Sequence, residues 1–127
     1  MSYSANLIVS PDKNEGSEDW KAKFEFRTND RITHTLTICE PELTNLEQWT
    51  KFVKCLEAAM TDLEVTWSLE FGNGESYTNL TIRKSLLYIK SQISPDNDRT
   101  KVVNIHPVAL VLPLFQELLV EYRLRQD

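Results

Sequence analysis

The side chains best suited to chemistry in this chain are two histidines, two cysteines and nineteen carboxylates. A zinc site would need His, Cys or carboxylate ligands a few positions apart. Neither His34 nor His106 has such a residue two, three or four positions further along the chain. We expect His34 to lie partly buried on the apolar face of a strand, and His106 to mark the start of the last helix. A site assembled from distant segments stays open as an alternative.

The two cysteines, Cys39 and Cys55, lack the partner base that a nucleophile needs. Cys55 lies beside the apolar stripe of a predicted helix, and Cys39 ends a predicted strand. We interpret both as reduced thiols, with a single bridge between them as the alternative. The chain also contains no Gly-x-Ser-x-Gly elbow, phosphate-binding Gly-rich loop or His-Glu-x-x-His motif. The prediction is a protein without catalytic residues, metal or cofactor.

The carboxylates are unevenly distributed along the chain. Residues 40–75 contain eight acids and two bases, a sum of −6, whereas the whole chain sums to −5. No basic residue occurs between Lys54 and Arg83. Such a segment can attract a basic protein partner over long range. The candidate partner-binding residues are Glu57, Asp62, Glu64, Glu70 and Glu75. The alternative is that the acidity only keeps a small domain soluble.

Composition sets the class of protein. The chain has 127 residues, 41% of them hydrophobic and 26% charged, which fits one globular domain over residues 1–127. A chain with a net charge of −5 lacks the positive field of a typical nucleic-acid binder. It shows no secretory signal and no apolar run long enough to span a bilayer. We therefore expect a cytoplasmic protein that binds neither membrane nor nucleic acid.

Hydrophobic periodicity indicates the elements that position these side chains. Alternation of apolar and polar residues predicts strands over 3–9, 20–27, 32–39, 63–71, 77–83, 86–93 and 101–105. Apolar residues that recur every three or four positions predict a helix over 45–60, with Thr44 as its N-cap. A second helix follows Pro107, and Pro113 should bend it or mark where its regular part begins.

Short connections join neighbouring strands, so these strands should pair antiparallel. The expected fold class is α+β, with an antiparallel β-meander of about five to seven strands and two helices packed on one face. Aromatic side chains are expected in the core: Trp20, Phe24, Phe26, Trp49, Phe52, Trp67 and Phe71. Tyr77 and Tyr88 are expected on the outer face, without the surrounding basic patch of an RNA-binding platform.

This arrangement of elements resembles small acidic immunity proteins that neutralise bacterial polymorphic toxins. The resemblance covers most of the chain and rests on patterns: the hairpin end Thr35-Leu36-Thr37-Ile38, the capped helix 46–60, the alternating strand 63–71, the long strand 86–93 and the final Leu118-Leu119-Val120-Glu121-Tyr122. It implies tight one-to-one binding of a cognate toxin and no catalysis by this chain. It assigns a role to no individual residue.

Three other functions remain as hypotheses. A viral or phage accessory protein could mimic nucleic acid with carboxylates spaced like phosphates. A self-assembling structural subunit, such as a homodimer, could form through the edge strand near 101–105 or through an uncovered sheet face. An enzyme with a site built from scattered residues has the least support, because no nucleophile and base can be paired.

Overall fold

The computed structural model of the chain describes residues 3–10, 21–39, 46–72, 76–93 and 102–125. Seven strands and two helices occur in this part of the chain. Their bounds are β1 (Tyr3–Ser10), β2 (Lys21–Thr28), β3 (Arg31–Cys39), α1 (Leu46–Ala59), β4 (Trp67–Gly72), β5 (Ser76–Arg83), β6 (Leu86–Ile93), β7 (Val102–Pro107) and α2 (Val108–Arg125). The α+β class, the antiparallel strands and the two helices are confirmed.

The chain groups into two compact units, which we call unit 1 (Met1–Thr50 and Pro113–Asp127) and unit 2 (Lys51–Leu112). Unit 1 contains the three-stranded sheet β1-β2-β3, and unit 2 contains the four-stranded sheet β4-β5-β6-β7. Every pairing is antiparallel, and strands that are neighbours in sequence are neighbours in the sheet. The expected meander is therefore present as two sheets. The single-domain assignment of residues 1–127 stays a prediction.

The core of unit 1 is built on aromatic rings. Phe24 on β2 stacks on Phe115 of α2, with ring centroids 4.6 Å apart. Trp49 of α1 lies against the same Phe115 ring, at 6.2 Å between centroids. All three side chains are buried, as the alternating and helical patterns predict. Trp20, also expected in the core, lies outside the described residues.

A β-bulge between β2 and β3 overturns one predicted side-chain orientation. Phe26 pairs with His34, but the next pair is Arg27 with Ile32, so Thr33 is the extra residue. The Thr33 hydroxyl donates to the Phe26 carbonyl oxygen at 3.2 Å. Since one inserted residue reverses the alternation, Ile32 is exposed and not on the buried face with Leu36.

The core of unit 2 follows the strand alternation closely. The buried side chains of its sheet alternate along β5 and β6: Leu80, Ile82, Leu87 and Ile89. On β4 only Leu69 is buried, and Trp67 and Phe71, both expected in the core, are half-buried. Lys84 and Ser85 connect β5 to β6 at φ of 53° and 62°. A two-residue hairpin loop needs such left-handed backbone, because its twist then matches that of the strands. The Ser85 carbonyl oxygen also accepts from Val108 N at 3.2 Å, which ties this turn to the first residue of α2.

The helices begin and end close to their predicted limits. α1 is one residue shorter at each end than the prediction of 45–60, and the N-cap Thr44 lies outside the described residues. α2 continues through Pro113 from Val108, so the helix does not begin at the proline. No helix in the described part of the chain combines the length and apolarity needed to cross a membrane.

Candidate partner-binding surface

Four of the five predicted partner-binding acids lie in the described part of unit 2, and all four are exposed. Glu57 belongs to the last turn of α1, Asp62 and Glu64 to the connection after it, and Glu70 to β4. Glu75 lies outside the described residues. The predicted set therefore spans a helix end, a turn and a sheet face.

The connection after α1 is a hydrogen-bonded turn. The Asp62 carboxylate accepts a hydrogen bond of 2.9 Å from the Glu64 backbone N–H. The Asp62 carbonyl oxygen accepts another, of 3.4 Å, from the N–H of Val65. Together they form a β-turn in which the Asp62 side chain bonds to the backbone two residues on. Leu63 and Glu64 occupy the two central positions, which point away from the body of a turn.

This turn corrects the prediction of a strand over 63–71, because β4 begins only at Trp67. Leu63, expected on the inner face of that strand, is 64% exposed. Met60, expected on the apolar stripe of α1, is 45% exposed because the helix ends at Ala59 and Met60 no longer follows the helical period. Two large apolar side chains thus join the acids at the surface.

We call the residues Glu57, Met60, Asp62, Leu63 and Glu64 the acidic–apolar corner. The sequence does contain a signal for the turn at Asp62, although the apolar alternation over 63–71 favours a strand there. Asp after a helical stretch favours a turn, because its short carboxylate can accept a hydrogen bond from a nearby backbone N–H. The turn lies between the end of α1 at Ala59 and the start of β4 at Trp67, which is four residues later than predicted.

Three of the acids on this surface have no ion pair within the described residues. In residues 3–10, 21–39, 46–72, 76–93 and 102–125, no ion pair involves Asp62, Glu64 or Glu70. Glu25 on β2, by contrast, has ion pairs with Lys23 and Arg27. Asp62 and Glu64 therefore make the electrostatic potential at the corner more negative, which attracts a basic partner.

Glu70 lies apart from the turn, on the outer face of the four-stranded sheet. It pairs with Asn79 on β5, which pairs in turn with Lys90 on β6. Adjacent strands are ~4.8 Å apart, so Lys90 lies about 10 Å from Glu70 across the sheet. In the sequence, Glu70 belongs to one acidic stretch. Its neighbours across the sheet are the polar Asn79 and then the basic Lys90.

Burial affects the protonation of both the His34 imidazole and the Cys55 thiol. His34 stacks on Phe26 at 5.5 Å between ring centroids, and burial lowers the pKa of its imidazole. Its partly buried position on β3 is as predicted. His106 is buried near the end of β7, two residues before α2 begins at Val108. Cys55 is a half-buried free thiol, and burial raises its pKa, which disfavours the thiolate.

The described residues contain no group of three or more His, Cys, Asp or Glu side chains placed to share a metal ion. The side chain of Cys39 lies outside the described part of the structure. Comparison with protein-family models, with curated protein sequences and with solved structures finds no match to this chain. The case for a function therefore depends on the geometry given above.

Proposed function

We propose that the chain is a non-catalytic protein-binding module that engages a basic partner through the acidic–apolar corner. The partner class is the one predicted from the charge distribution, a protein with a basic surface. By the resemblance to immunity proteins, binding would inhibit that partner. Glu70 and Glu75 belong to the same predicted set, but Glu70 lies apart from the corner on the four-stranded sheet and Glu75 lies outside the described residues.

The observation that carries this proposal is the position of Leu63. It is 64% exposed in a turn fixed by two hydrogen bonds, and the acids Asp62 and Glu64 flank it. Burying a leucine side chain contributes ~1.5–3 kcal/mol, so a preformed apolar protrusion is a strong anchor for a partner's pocket. The flanking carboxylates would direct a basic partner to it and speed association.

The same observation favours a protein partner over nucleic-acid mimicry. A mimic of nucleic acid presents carboxylates in place of phosphates, with nothing apolar between them. Here Met60 and Leu63 lie exposed among the acids. An apolar centre with a charged rim is typical of protein–protein interfaces.

The test is affinity capture from the native host, with wild type and variants compared side by side. We expect wild type to retain a basic protein in a one-to-one ratio. Leu63→Ser should weaken that complex at least tenfold, because the anchor is lost. Asp62→Asn with Glu64→Gln keeps the Asp62 oxygen that accepts the turn hydrogen bond, and should slow association and reduce its salt dependence.

A matched control makes the same types of change elsewhere. Glu117 and Val120 are both exposed on α2, and the double variant Glu117→Gln, Val120→Ser should bind like wild type. Equal retention of the same partner by Leu63→Ser and by the control would refute the corner as the binding surface. Inhibition is tested by producing the captured partner with and without this chain: growth arrest by the partner alone, relieved by wild type but not by Leu63→Ser, is the expected result.

Self-association is a second candidate function, and one specific observation favours it. β7 is an edge strand of the four-stranded sheet, its residues 102–107 carry no Asp, Glu, Lys or Arg, and Val103 and Ile105 are 54% and 51% exposed. An uncharged, apolar edge is a template for pairing with a second copy. Sedimentation of wild type and of Ile105→Lys at two protein concentrations distinguishes a dimer from a monomer. A dimer that Ile105→Lys dissociates supports this function, and a monomer at both concentrations excludes it.

A further inference from the structure

The outer face of the four-stranded sheet changes in character from β4 to β7. One row across the sheet reads Glu70, Asn79, Lys90 and Val103. The next row reads Ser68, Thr81, Tyr88 and Ile105. Acid and hydroxyl groups lie at the β4 edge, a base and a phenol in the middle, and exposed aliphatic side chains at the β7 edge. The face is therefore not a uniformly solvated surface.

The polar part of this face is ordered by a closed ring of hydrogen bonds. The Thr81 hydroxyl donates to Asn79 Oδ1 at 2.5 Å, and Asn79 Nδ2 donates to Ser68 Oγ at 3.1 Å. Ser68 Oγ and Thr81 Oγ1 are 3.3 Å apart. Since the Thr81 proton is already used, Ser68 must be the donor in this last bond. Each group then donates and accepts once, and the second N–H of Asn79 is left over for another acceptor.

Two cations flank Tyr88 on the same face. Lys90 follows two residues later on β6, about 7 Å along the strand. Arg83 pairs with Leu86, so it lies diagonal to Tyr88, at about 7–8 Å between the two residues. Neither cation forms an ion pair with a carboxylate of the described residues. Both charges are thus available to a ligand over the phenol ring.

These residues enclose a hollow of about 230 Å³, which is open to solvent on one side. Its lining contains no acid: Asn79, Thr81, Arg83, Tyr88, Lys90 and Val103. The volume is below the ~300–1,000 Å³ of pockets for drug-sized molecules, so the occupant must be small. The chain as a whole has a net charge of −5, whereas the lining of this hollow has a positive charge.

We propose that this hollow binds a small oxyanion ligand that carries a flat ring, such as an aromatic phosphate or carboxylate. Arg83 and Lys90 would hold the oxyanion from two sides, with the guanidinium suited to bidentate contact. The spare N–H of Asn79 supplies a third donor. The Tyr88 ring and the Val103 side chain offer apolar surface to the ring of the ligand. The site is independent of the acidic–apolar corner and shares no residue with it.

The test is titration of the isotope-labelled full chain, followed by the NMR shifts of backbone amides. The probes are phenyl phosphate, benzoate, inorganic phosphate and phenol. Phenyl phosphate should give saturable shifts confined to residues 79–83, 86–90 and 103–105, with a dissociation constant on the order of 1 mM. Benzoate should shift the same amides, because the proposal assigns the oxyanion and not phosphorus. Phenol should give none, since it lacks the charge that the two cations recognise.

Variants distinguish binding in this hollow from a general attraction of anions to the positive charges of the protein. Arg83→Gln with Lys90→Gln should weaken phenyl phosphate at least tenfold, and Tyr88→Leu should weaken it while leaving inorganic phosphate unchanged. Lys54→Gln removes one positive charge from an exposed position on α1, outside the hollow, and should bind like wild type. All four substitutions are at solvent-accessible positions, and unchanged amide spectra without ligand confirm folding. Shifts that do not saturate, or that survive in the double variant, would overturn the proposal. Equal affinity for inorganic and phenyl phosphate would overturn the part assigned to Tyr88.

Discussion

The Arg27 guanidinium donates a hydrogen bond of 3.1 Å from Nη2 to Oε1 of Glu25, two residues away on β2. On the other side of the same carboxylate, Lys23 Nζ lies 3.6 Å from Oε2. Alternation placed Glu25 on the wet face of the strand, yet only 6% of this residue is exposed. The two basic side chains, and the neighbouring strands β1 and β3, shield the carboxylate while compensating its charge.

The first prediction concerns the acid stability that Glu25 confers. The hydrogen bond from Arg27 lowers the pKa of Glu25 below its ordinary 4.5. A carboxyl with a lowered pKa in the folded state stabilises it above the unfolded pKa, and this contribution is lost as the pH falls. We expect Glu25→Gln to lower the free energy of unfolding at pH 7 and to have less effect below about pH 4. Urea unfolding over pH 3–7 measures the difference.

The control for this experiment is Glu117→Gln on α2, an exposed carboxyl without a described ion pair. Its effect on the free energy of unfolding should be small at every pH. A loss of stability in Glu25→Gln that stays constant over the whole range would show that packing, and not charge, is what the substitution removed.

A second prediction concerns His34 and mildly acidic pH. Burial lowers the pKa of this imidazole below 6.5, so the unfolded chain takes up a proton there before the folded chain does. Stability from the neutral ring is therefore complete above pH 6.5 and declines as the pH falls below it. His34→Phe keeps a ring against Phe26 and should reduce the loss of stability between pH 7.5 and pH 5.5. The same loss in both proteins would assign it to other groups.

A third prediction concerns the β5–β6 turn. Ser85 adopts φ of 62°, a conformation that costs an L-residue ~1–2 kcal/mol and costs glycine almost nothing. Ser85→Gly keeps the carbonyl oxygen that accepts from Val108 N, so it should stabilise the protein by about 0.5–1 kcal/mol. The matched control is Ser91→Gly in the middle of β6, where glycine should cost about as much. Thermal unfolding of both variants measures these changes in stability. Stabilisation by Ser91→Gly would contradict the prediction.

A fourth prediction separates the corner from the core. Leu63→Ser should change the free energy of unfolding by less than about 0.5 kcal/mol, because the side chain already lies in solvent. Leu80→Ala, on a fully buried position of β5, should cost ~2–5 kcal/mol. Chemical denaturation of the two variants gives the comparison. A large loss in Leu63→Ser would mean that Leu63 has a packing role, and it could then not serve as a free anchor for a partner.

Much of the fold could be predicted because it depends on local periodicity. β6 has the bounds that its alternation predicts, and α1 differs from its prediction by one residue at each end. In such elements the residues that decide the structure are two, three or four positions apart, so the sequence displays the pattern directly. The exposure of Glu57 and Glu70 was predictable for the same reason, whereas Asp62 and Glu64 are exposed in a turn that the alternation did not predict.

The remaining features depend on residues that are not close in sequence, or on a competition between patterns. Ile32 is exposed because a bulge opposite Phe26 and Arg27 reverses the alternation, and only the pairing of β2 with β3 determines that. Leu63 is exposed because a hydrogen bond from Glu64 N to Asp62 prevails over an apolar alternation that would otherwise extend the strand. Lys90 follows Tyr88 by two residues on β6, but Arg83 becomes a neighbour of Tyr88 only through the register of β5 with β6.

The sequence by itself thus determined the α+β class, the approximate limits of the helices and strands, and the acidic stretch from Glu57 to Glu70. The tertiary structure decided which of these side chains are brought together: an apolar anchor among the acids, a shielded Glu25, and two cations beside Tyr88. The physical reason is that periodicity is a local property of the chain. Strand register, bulges and turn hydrogen bonds are settled by the free energy of the whole packed structure.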